Sequence, residues 1–143
     1  MDYETEGLIL LTNDGDLAQK LMHPSNEVEK EYYATIKGTL KESELAVLRA
    51  GVVIGGKKLP KAKVEIRECL KDDNGEFKTR LSIKIKEGQN RQIRHMFEGI
   101  GRELLLLKRV RVGEIKLGGL TRGEYKHLTE KEIEILQNFK DGF

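Results

Sequence analysis

The chain has 143 residues, 38% hydrophobic and 35% charged, with a net charge of +2. A packed globule with a heavily solvated or ligand-contacting surface is expected rather than disorder. Cys69 is the single cysteine, which excludes an internal disulfide and a thiolate zinc cluster. No apolar run is long enough to cross a bilayer, and the start lacks the basic, apolar, small-residue order of a secretory signal. A cytoplasmic location is the expectation.

The near-neutral total conceals an asymmetry. Residues 1–31 carry two basic and eight acidic side chains, whereas residues 78–111 carry ten basic and three acidic. So basic a segment implies one face that meets phosphate, although a solvated strand and helix surface has the same composition. There is no repeat, low-complexity tract or Pro-rich linker, so residues 1–143 are expected to form one domain.

Residues 8–12 form an apolar run before Asn13-Asp14-Gly15, the pattern of a strand and turn. A short helix is expected over residues 16–22, ending near Pro24. Tyr32, Ala34 and Ile36 alternate with Tyr33, Thr35 and Lys37, as in a half-buried strand. Thr39-Leu40-Lys41-Glu42 has capping-box spacing for a helix that carries Leu45 and Leu48 and closes at Gly51. Gly55-Gly56 predicts a hairpin between residues 52–54 and 57–59. Two further strands are expected, one through Ala62, Val64 and Ile66 and one through Leu81, Ile83 and Ile85, joined by a turn at residues 72–75. Asn90 is a candidate cap for a helix whose apolar stripe is Ile93, Met96, Phe97 and Ile100, with Arg91, Arg94, His95 and Glu98 opposite. Residues 104–107 read as a buried strand, extended by apolar Val110, Val112 and Ile115. Thr129-Glu130-Lys131-Glu132 is a second capping box opening the last helix. The order predicts an α+β fold, mainly antiparallel sheet with three to four helices.

Two segments carry candidate chemistry: residues 2–15, DYETEGLILLTNDG, and residues 87–97, EGQNRQIRHMF. On its own, Asp2 is a carboxylate ahead of a strand. Arg91 and Arg94, three apart on one helix face, can direct both guanidinium groups at one phosphate or carboxylate.

Together the segments resemble the catalytic domain of the RsuA/RluB-type ribosomal RNA pseudouridine synthases. The first is similar to that family's Arg-Leu-Asp-x-x-Thr-x-Gly-Leu-Leu-Leu-Leu-Thr-Asn-Asp-Gly signature, the second to its Glu-Gly-x-x-x-Gln-[Ile/Val]-Arg-x-Met-Phe signature. Leu107-Lys108-Arg109 before Val112-Gly113 resembles a third element, and Leu120-x-x-Gly123 a closing strand. Met22-His23-Pro24 and Val28-Glu29-Lys30-Glu31-Tyr32 are similar to the branch acting on the large ribosomal subunit.

The resemblance implies isomerisation of uridine to pseudouridine in ribosomal RNA without metal or organic cofactor, by a protein that is a monomer at full length. It implies that Asp2 acts at the ribose, either as nucleophile at C1′ or as base at C2′. Arg94 would pair with that aspartate, and Tyr32 would stack on the uracil and help remove the C5 proton. Leu107 would be an apolar wall under the extruded base. Arg91, Lys108 and Arg109, with Lys84, Lys86 and Arg111, would hold the RNA backbone. The family's Gly-Arg before the aspartate, its preceding strand and its S4-type domain would lie upstream of Met1, so this stretch alone is expected to turn over weakly or not at all. Gln89 and His95 stand where the family commonly has arginines. Without the resemblance, the basic stretch suits a non-catalytic RNA-binding module equally well.

Overall fold

The computed structural model describes residues 5–23, 28–86 and 91–138. Its elements are β1 (Glu6–Gly7), α1 (Gly15–Met22), β2 (Lys30–Lys37), α2 (Glu42–Ala50), β3 (Val53–Ile54), β4 (Lys57–Lys58), β5 (Lys63–Lys71), β6 (Phe77–Ile85), α3 (Gln92–Gly99), β7 (Leu104–Val112), β8 (Ile115–Lys116) and α4 (Glu130–Gln137). The main sheet runs β1-β7-β2-β6-β5, with β8 paired to β7. Only the β1–β7 pair is parallel among the described strands. The expected α+β architecture is therefore observed.

Alternation in β2 and β6 builds the larger core. Ala34, Ile36, Leu81, Ile83 and Ile85 pack beneath Leu45 and Leu48 of α2 and Ile93, Met96 and Phe97 of α3. A smaller core joins Leu8, Val28, Val112, Ile115 and Leu136, with Leu17 and Leu21 of α1 against it. The site lies where the two cores meet.

Several expectations need correction. Residues 8–12 are not a strand; the ladder stops after Leu8, whose N–H donates to the Arg109 carbonyl at 2.7 Å while its own carbonyl accepts from Arg109 Nε at 2.8 Å. A side chain thus takes the acceptor that a continuing ladder would use. The α2 capping box is displaced by two residues: the N-cap is Lys41, and its backbone N–H donates to Glu44 Oε1 at 3.0 Å. Arg102 fixes that carboxylate through two hydrogen bonds of 2.8 and 2.7 Å, so a tertiary ion pair sets the helix start. Asn90 lies outside the described residues, and α3 opens with Arg91 as its N-cap in left-handed conformation (φ 59°). Arg91 therefore precedes the helix rather than sharing its face with Arg94. Leu105 and Leu106 are exposed, because the outer edge of β7 there has no neighbouring strand among the described residues. Residues 120–123 form turns, not a closing strand: the Leu120 N–H bonds to Leu117 and the Glu124 N–H to Thr121. The α4 box at Thr129 and Glu132 forms as expected.

Candidate active site

Between the sheet, α1 and the start of α3 lies a cavity of about 490 Å³, within the range of small-ligand sites. Its floor is sheet: Lys30 and Tyr32 from β2, Ile85 from β6, and Leu107, Arg109 and Val112 from β7. Thr5, Ile9, Leu10 and Thr12 come from the first segment, Ala18, Leu21 and Met22 from α1, and Arg91 to Arg94 from the α3 entry. The irregular path of residues 8–12 thus builds a wall where a strand would have continued past the site.

A β-bulge decides which cations enter. Tyr32 pairs with Arg109, but Glu31 pairs with Arg111, leaving Val110 as the extra residue. The bulge reverses the alternation of β7, so Arg109 faces the cavity and Arg111, two residues on, faces the other side of the sheet. There Arg111 donates to Glu29 at 2.6 Å and Glu31 at 3.2 Å. The Arg111 hydrogen bond, with added pull from its charge, holds Glu29 below the usual carboxylate range despite burial. Burial pushes Glu31 up, but hydrogen bonds from Ser82 and Arg111 outweigh it and the net shift is downward. Lys84 is in register with Glu31, on this second face. Tyr33 projects there too, with the Arg67 guanidinium 3.8 Å from its ring centroid. The basic stretch is therefore divided between two faces, and Arg111 is spent on acidic partners.

Of the residues singled out from sequence, Tyr32, Arg91, Arg94, Leu107 and Arg109 line this one cavity. Lys108 pairs with Tyr33 and projects from the opposite face of β7. Asp2 lies outside the described residues. Arg94 Nη2 donates to the Oγ1 of buried Thr5 at 3.3 Å, tying α3 to the first segment. His95 is not at the site; its Nδ1 lies 3.2 Å from Glu98 Oε2 on the helix surface.

Thr5, Lys30 and Gln92 are among the lining residues that had no role assigned from sequence. Lys30 is two before Tyr32 in one strand, so extending the same alternation backwards would have found it. Gln92 is 2% exposed, and neither side-chain amide atom has a hydrogen-bond partner. Its place among apolar neighbours at a helix start has no sequence signal.

The cavity is positively charged: Lys30, Arg91, Arg94 and Arg109 line it, with no acidic residue among the described lining residues. Burial, reinforced by the Arg109 charge, lowers the Lys30 pKa below the usual lysine range. An aromatic ring, an apolar floor and clustered cations suit a planar base attached to a phosphate-bearing backbone. No group of three or more potential metal ligands occurs among the described residues, and no described helix is long and apolar enough to cross a membrane.

Comparison with known proteins agrees with this geometry. The family described as RNA pseudouridylate synthase matches residues 1–99. The chain belongs to that family. Among its relatives, the ribosomal large subunit pseudouridine synthase B of Bacillus subtilis (strain 168) is 40% identical over 141 residues, 99% of this chain and 57% of that protein. The dual-specificity RNA pseudouridine synthase RluF of Escherichia coli (strain K12) is 37% identical, covering 93% of this chain and 43% of the relative. A crystal structure of a pseudouridylate synthase superposes with a TM-score of 0.82 at 32% identity, over 95% of this chain and 56% of that one. The chain thus spans between 43% and 57% of the length of these relatives.

Proposed function

We propose that residues 1–143 supply catalytic-domain machinery of a cytoplasmic enzyme that isomerises a specific uridine to pseudouridine in ribosomal RNA, that of the large subunit. The convergence of Tyr32, Arg94, Leu107 and Arg109 on one cationic cavity carries the proposal, because it sets an aromatic ring, an apolar wall and cations around the space for a single ligand. Family membership and the named large-subunit relatives support the reaction and its RNA.

In this reading the target uridine leaves its helix and its base lies between Tyr32 and Leu107. Asp2 is the carboxylate acting at the ribose, as nucleophile on C1′ or base at C2′. The N1–C1′ bond breaks, the uracil turns, C5 bonds to C1′, and the C5 proton is lost with help from the Tyr32 hydroxyl. Arg94 keeps Asp2 ionised in a site shielded from water. The Arg94–Thr5 contact supports this, since three residues of chain span at most about 11 Å. Arg91 and Arg109 hold the backbone near the cavity, and Lys108 meets RNA only outside it.

Incubation of the full-length protein with unmodified ribosomal RNA, followed by mass-spectrometric mapping, tests the reading. One new pseudouridine in large-subunit RNA is expected. A product confined to small-subunit RNA would move the target, and no product in either would refute the function.

A further inference from the structure

We propose that Lys30 and Arg109 form a phosphodiester seat inside the cavity, holding the backbone phosphate of the nucleotide whose base lies on Tyr32. The inference rests on the base-binding reading above and adds to it a named anion site. Lys30 shares the Tyr32 face of β2, and Arg109 is the cross-strand partner of Tyr32. The two cations are therefore the near neighbours of Tyr32 on this face of the sheet.

Among the described residues, no carboxylate neutralises either charge. Arg102 has Glu44, Arg111 has Glu29 and Glu31, and Arg80 has Glu68. The Lys30 ammonium forms no hydrogen bond or ion pair among the described residues, although the residue is half-buried. Among the described residues the Arg109 side chain donates to the Leu8 carbonyl alone, through Nε, which fixes the guanidinium plane and turns its two terminal nitrogens to an anion. Two like charges held together in a partly desolvated pocket are costly unless an anion completes the arrangement. The depressed Lys30 pKa is a consequence of that strain, and a bound phosphate would relieve it. The seat's position beside an aromatic ring matches the phosphate attached to an extruded nucleoside.

Uridine, uridine 5′-monophosphate and uridine 3′-monophosphate, titrated into the full-length protein and followed by NMR, test the seat. At least one nucleotide should bind about tenfold more tightly than uridine. Lys30→Met should bring that nucleotide within twofold of uridine while uridine itself changes less than twofold, and Lys30→Arg should restore most of the preference. The seat is overturned if neither phosphate improves on uridine, or if the preference survives Lys30→Met. Failure of all three ligands to bind would instead defeat the base-binding reading on which the seat depends.

Discussion

Arg94 of α3 donates to the hydroxyl of Thr5 at 3.3 Å, joining residues 89 positions apart in the chain. The contact ties the first segment to the helix at the cavity and fixes the orientation of the guanidinium. Its planar fork is what a flexible ammonium lacks. Arg94→Lys is expected to lower kcat by about a hundredfold while leaving the melting temperature within a few degrees. Steady-state kinetics and thermal unfolding of the full-length protein check both halves.

Tyr32 contributes a ring and a hydroxyl that separate experimentally. Tyr32→Phe keeps the apolar face, so uridine affinity should change less than threefold, while turnover falls by about a hundredfold through loss of proton transfer. Tyr32→Ala should weaken binding as well. Parallel binding and rate measurements distinguish these outcomes.

Arg91 adopts φ 59°, a conformation that costs a side-chain-bearing residue about 1 kcal/mol and that glycine adopts freely. Arg91→Gly should leave stability unchanged or raised by up to about 1 kcal/mol, while RNA binding weakens and its salt dependence becomes shallower. Denaturation alongside a salt titration of RNA affinity reads both effects.

Glu44 anchors the start of α2 to Arg102. The Arg102 hydrogen bonds, opposed by burial and aided by the Lys41 backbone N–H, take its pKa from 4.5 to about 2. A carboxylate with a lowered folded-state pKa stabilises fully above its unfolded value and loses that contribution as pH falls through the folded one. Glu44→Gln should therefore cost about 1 kcal/mol at pH 7, and the gap to wild type should close between pH 4.5 and about 2. Melting curves across that interval provide the check.

The sheet was legible wherever apolar and polar residues alternate. Leu81, Ile83 and Ile85 read correctly because a period of two has one structural meaning. Turn chemistry at Gly55-Gly56 and the cap at Thr129 were equally local and equally clear. What failed depended on distant partners. No local pattern marks the bulge at Val110, yet it sends Arg109 to the cavity and Arg111 to Glu29 and Glu31. Leu105 and Leu106 look buried by composition, but burial needs a neighbour, and none of the described strands covers that edge. For the site, motif spacing grouped Tyr32, Arg94 and Leu107, and all three line one cavity. It assigned nothing to Lys30, which has no carboxylate partner among the described residues, a property that no linear pattern encodes.

The central claim is that the reaction depends on the Asp2 carboxylate reaching this cavity. Tritium release from 5-tritiated uridine in ribosomal RNA, measured for the full-length protein and its Asp2→Asn form, tests it most directly. The account predicts release by the wild type and none above background by Asp2→Asn at equal folded concentration. Equal release from both proteins would contradict it.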